Sequence, residues 1–126
     1  MFLVEKTDMS IITTGHIFLK RPYDVANATA LKQVLQEQGG ELHGSSDERY
    51  WELIKHQLII TIKVQPITEL LDQCQTELNF LGLAPDDVPE VITVEGLMES
   101  VDLCQSITDQ LASSLAGVTG GAEHCH

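Results

Sequence analysis

At 126 residues, with 43% hydrophobic residues and a mean hydropathy of +0.02, the chain is sized and composed for one globular domain with its own core, not for a membrane span or a disordered tail. Seven Lys and Arg face nineteen Asp and Glu, a formal net charge of −12, and the imbalance is polarised: no base follows Lys63, whereas eleven acids lie between Glu69 and Glu123. Such a field repels phosphate backbones and anionic headgroups, which sets nucleic acid and membrane aside as partners and favours a basic protein surface.

The first residues, Met1-Phe2-Leu3-Val4-Glu5-Lys6, lack a basic stretch followed by an apolar one, so the expected setting is the cytosol. Three cysteines, Cys74, Cys104 and Cys125, are odd in number and far apart, which fits a reducing compartment better than a disulfide framework.

In chain order, Phe2 to Lys6 and Ser10 to Lys20 read as strands, the second interrupted near Gly15 by a bulge or turn. Asp24 is a helix N-cap, and Val25, Ala28, Leu31, Val34 and Leu35 recur at helical spacing until Gly39-Gly40. Glu41 to His43 forms a short strand. Arg49 to Ile54 and Leu58 to Val64 form a hairpin around Lys55-His56-Gln57, with a helix over Asp47 to His56 as the competing reading. Leu58, Ile60, Ile62 and Val64 would face the core. Pro66 suits the first position of a helix whose stripe is Ile67, Leu70, Leu71, Cys74, Leu78 and Leu81, ended by Gly82. Leu83 to Pro89 is a connector. A last helix is expected from Thr93 to Ala116, with a strand start at Val91 to Val94 as the alternative, and Gly117 then releases a flexible tail over 117–126. The sum is an α+β fold: a mainly antiparallel sheet of four to five strands, helices on one face, one domain over 1–116.

Glu95, Glu99, Asp102 and Asp109 would share one face of that last helix without interspersed Lys or Arg, an arrangement suited to docking a basic partner as well as to solvation. Glu123, His124, Cys125 and His126 complete the candidate partner-binding set as a recognition tail. His124-Cys125-His126 is also the one run of metal-ligand types, although a fixed site wants four ligands and three are at hand. Asp86-Asp87 and Glu90 lack the spacing of a calcium loop. Cys74 and Cys104 lie on apolar stripes, and His16, His43 and His56 are scattered, so no nucleophile and base can be assembled. The Gly39 to Gly44 stretch follows a helix instead of opening one, which removes a phosphate cradle. Of Tyr50 and Trp51, alternation sends one ring inward and the other outward.

In size and acidity the chain resembles secretion chaperones and small immunity proteins, and in architecture the small adaptors that attach to bacterial microcompartment shells by a C-terminal peptide. The likeness is one of charge, size and layout, without a shared motif. The expected role is therefore that of a non-enzymatic protein-binding adaptor or assembly factor without a cofactor, able to form a homodimer, with metal handling by the His-Cys-His terminus as the alternative.

Overall fold

The structure, a computed structural model, describes residues 12–119. They form one antiparallel sheet of six strands with three α-helices: β1 (Ile12–Leu19), α1 (Val25–Glu37), β2 (Glu41–Gly44), β3 (Tyr50–Lys55), β4 (Leu58–Pro66), α2 (Leu71–Leu81), β5 (Glu90–Leu97), α3 (Val101–Ser114) and β6 (Val118–Thr119). Strand order is β2-β3-β4-β5-β1-β6. The α+β class therefore holds, with six strands where four to five were expected.

Local chemistry accounts for most element ends. Asp24 accepts from the Asn27 amide at 2.9 Å while Asn27 Oδ1 accepts from the Asp24 amide at 3.2 Å, so two otherwise orphaned donors are satisfied at the start of α1. Ala28, Leu31, Val34 and Leu35 turn inward as the spacing predicts, but Val25, in the first turn, is exposed. Gly82 closes α2 in the left-handed conformation at φ 72°, which glycine adopts without a Cβ clash. Between β3 and β4 the two-residue turn His56-Gln57 has φ of 52° and 65°, the double left-handed geometry that matches strand twist and is usually met by Asn-Gly.

Alternation along β1 sorts the core into two layers. Ile17 and Leu19 join Leu31 and Leu35 of α1, Ile107 and Leu111 of α3, and Leu53, Ile60, Ile62, Ile92 and Val94 of the sheet. Phe18 points the other way, onto Cys74 and Leu78 of α2, with Ile67, Leu70, Val88 and Val91. The expectation of helices on one face thus describes α1 and α3, while α2 lies across the opposite face. The connection from β4 to β5 carries α2 onto that face, where it covers Phe18 and Val91.

Three expectations need correction. The helix expected from Thr93 begins only at Val101, because Glu90–Leu97 is a strand paired with both β1 and β4. Val91 and Ile92 are each fully buried, one on either face, which erases the alternation that marks a half-buried strand. Pro66 ends β4, and a 3-10 turn over Ile67–Glu69 precedes α2, so the proline does not open the α-helix. Val118 and Thr119, placed by sequence in a tail, pair with Phe18 and Ile17. The expected strand at Phe2 to Lys6, the residues Ser10 and Ile11, and the tail residues Glu123, His124, Cys125 and His126 lie outside the described residues.

Candidate functional site

The face that carries α2 is only partly covered, and strand register sorts its side chains into rows. Farthest from α2, Ile54 pairs with Ile59 and Ile12 with Leu97, and Ile59 and Leu97 line a common hollow of about 300 Å³ beside Gln57 and Ser100. Ile12, Ile59 and Leu97 are 45%, 55% and 51% exposed, an apolar row running from β3 to β1 that nothing described covers. The next row is acidic: Glu52 opposite Thr61, Thr61 opposite Glu95, Glu95 opposite Thr14. The third is basic: Tyr50 opposite Lys63, Lys63 opposite Thr93, Thr93 opposite His16. Gln65, Val91 and Phe18 form the last row, under α2.

Between the third row and α2 lies a polar hollow of about 460 Å³, lined by Thr14, His16, Lys63, Gln65, Leu70, Gln73, Thr93 and Glu95. His16 forms one wall, its Nδ1 2.9 Å from Glu77 Oε1 on α2, with a side chain 12% exposed. Burial works against its charged form, yet hydrogen bonding by Cys74 and Glu77, together with their charge, outweighs that and raises its pKa from 6.5 to about 9. The imidazole is consequently protonated at neutral pH. Thr93 Oγ1 is the one buried side-chain oxygen or nitrogen without a hydrogen-bond partner among the described residues. Such a group carries a desolvation cost of about 1–3 kcal/mol.

His16, Glu77 and Cys74 thus meet, although the sequence scatters them. The order of types resembles a nucleophile, a base and an orienting carboxylate, but Cys74 is fully buried and is not among the residues that line the hollow, so its sulfur is not presented to anything bound there. Cys104 is likewise buried, and burial pushes its thiol pKa up. His43 hydrogen-bonds Glu41 on an exposed edge strand, and His56 sits in the β3–β4 turn. Trp51 packs in the core with its indole donating to the Glu48 carbonyl at 3.2 Å, whereas Tyr50 faces outward and donates to Glu52 at 3.0 Å.

The four acids expected on one helix face are dispersed. Asp102 and Asp109 remain on the exposed side of α3, Glu99 stands in the 3-10 turn Met98–Ser100, and Glu95 points from β5 into the polar hollow on the opposite side of the sheet. The reason is the strand: with 90–97 extended, residues 95 and 99 lose their helical relation to 102 and 109. Glu95 and Glu99 instead bracket Leu97 in sequence, within the apolar row. Glu90 is spent internally, gripped by both Arg49 guanidinium nitrogens at 2.8 and 3.1 Å. Among the described residues no group of three or more His, Cys, Asp or Glu could hold a metal ion, and no helix is long and apolar enough to cross a membrane. Set against known protein families, curated proteins and solved structures, the chain matches none.

Sequence reasoning missed the apolar row and the hollow because both need the order of strands. One signal was available: Ile59 and Leu97 are apolar residues at strand positions whose neighbours Ile60 and Gly96 face the other way.

Proposed function

We propose that this chain is a non-enzymatic protein-binding module, and that it docks a partner segment of apolar residues flanked by Lys or Arg onto the apolar row of Ile54, Ile59, Leu97 and Ile12. The observation that carries this reading is the row itself, three large aliphatic side chains about half exposed and contiguous across adjacent strands. Scattered surface aliphatics need no explanation, but a contiguous set rimmed by polar residues marks an interaction surface. Its charge character comes from Glu52 and Glu95 in the adjoining row, from Glu99 beyond Leu97, and from the net charge of −12. Complementary charge would accelerate encounter and select the partner, while the aliphatic row would supply the desolvation that retains it. The burial of Cys74 away from the lining of the hollow supports the non-enzymatic part.

Selection from a displayed random-peptide pool tests this directly. The intact chain should enrich peptides with Lys or Arg around an apolar centre, Leu97→Ser and Ile59→Ser should each weaken the selected peptide at least tenfold, and Glu52→Lys with Glu95→Lys should remove its salt dependence. Equal enrichment by Leu97→Ser would overturn the reading. So would sedimentation showing a dimer of this chain dispersed by Leu97→Ser, which would assign the row to a second copy.

A further inference from the structure

The polar hollow beside α2 is built differently from the apolar row and calls for a different occupant. Its two opposed charges, Lys63 on β4 and Glu95 on β5, are diagonal neighbours, because Lys63 stands opposite Thr93 and Glu95 opposite Thr61. Diagonal positions across paired strands are separated by about 7–8 Å at the backbone. Neither side chain has an ion-pair or hydrogen-bond partner among the described residues, and they do not pair with each other. The third charged group, His16, is already answered by Glu77 at 2.9 Å. Between the unanswered pair lies Thr93, whose hydroxyl is buried and has no partner among the described residues.

We propose that this hollow binds a small zwitterion of the α-amino-acid class, its carboxylate held by Lys63 and its ammonium by Glu95. Charge balance selects the class. A phosphate-like dianion entering here would meet the Glu95 carboxylate, and a simple cation would meet Lys63 and protonated His16. A neutral polyol would take water from both charged groups and return no opposite charge to either. A zwitterion answers both, and charge-assisted hydrogen bonds are the stronger kind. The volume of about 460 Å³ lies within the range of small-molecule sites and leaves room for a side chain toward Leu70, the one aliphatic residue of the lining. Thr14 and Gln73 on the rim offer further polar contacts to the backbone end of such a ligand.

The proposal stands apart from protein docking, since Leu97→Ser should weaken peptide capture at least tenfold and leave the hollow intact. The test is a series of proton–nitrogen correlation spectra of the full chain, titrated with each proteinogenic L-amino acid into the millimolar range. At least one should shift the amides of Thr14, Lys63 and Thr93. For that amino acid, the deaminated acid should bind at least tenfold more weakly to the natural chain but no more weakly than the parent to Glu95→Gln, and the carboxamide should behave the same way against Lys63→Met. Glu37→Gln, exposed on α1 across the sheet from the hollow, should change nothing. Lys63 and Glu95 are both part-exposed, so their variants should keep the native spectrum elsewhere. If no amino acid shifts those amides, or if the shifts persist undiminished in both Lys63→Met and Glu95→Gln, the proposal is overturned.

Discussion

The two faces of one sheet are built to different rules. Under α1 and α3 the inward side chains of β1, β3, β4 and β5 form an unbroken aliphatic layer with Leu31, Leu35, Ile107 and Leu111, and its central members are fully buried. On the opposite face α2 covers only the row around Phe18 and Val91, and beyond it come a basic, an acidic and an exposed apolar row in succession. One face is thus given to stability, and the other keeps charge, a buried unpartnered hydroxyl and exposed aliphatics that folding alone does not require. Features that cost the folded state stability and are confined to one face mark where binding is expected.

That contrast can be broken most directly in the first layer. Leu53→Ala should cost about 2–5 kcal/mol in urea denaturation, because removing most of a fully buried leucine leaves a cavity in this layer. A loss no larger than that from a surface substitution would erase the distinction.

The second face should carry its own pH dependence. With the His16 pKa raised from 6.5 to about 9 in the folded chain, its contribution is fully present below about pH 6.5 and is lost as pH rises through about 9. Folding stability measured across that window should fall by on the order of 2–3 kcal/mol, and Glu77→Gln should flatten part of the slope, Cys74 holding the rest. A profile unchanged by Glu77→Gln would disconnect the raised histidine from Glu77.

Gly96→Ala probes the first face where β5 meets the start of α3. A Cβ there would lie 2.5 Å from Ser100 Oγ and 3.1 Å from Cys104 Sγ, so overpacking should cost about 1–3 kcal/mol in a thermal or urea melt. At the edge of the apolar row the sign reverses. Gln57→Gly should stabilise the chain by about 1 kcal/mol, since position 57 holds a φ of 65° that a side chain disfavours. Ile59→Ser should move stability by no more than about 0.5 kcal/mol while weakening peptide capture, the sharpest separation of the two faces in a single variant.

Much of the fold was legible where a local rule and the tertiary outcome coincide. Asp24 capped α1 as its side chain predicts, Gly82 ended α2, and Ile60, Ile62 and Val64 alternated into the core as a half-buried strand should. The misreading at 93–100 has a definite cause. Val94, Leu97, Met98 and Val101 satisfy helical spacing, but Val91 and Ile92 are buried on opposite faces because α2 roofs one and the α1 and α3 layer the other. A strand covered on both sides shows no period of two, so its pattern borrows the helix that comes after it. The same error carried Glu95 onto a helix face it does not share.

Composition and local pattern by themselves determined the α+β class, the caps and turns, the two buried thiols and the charge polarity of the chain, because each depends on residues a few positions apart or on a sum over the whole. Strand order was decided only in three dimensions. It brings His16 to Glu77 across 61 positions, sets Lys63, Thr93 and Glu95 around one hollow, and leaves Ile12, Ile59 and Leu97 side by side. Those juxtapositions depend on long-range pairing, whose register is written in no single segment, and they are where the proposed binding resides.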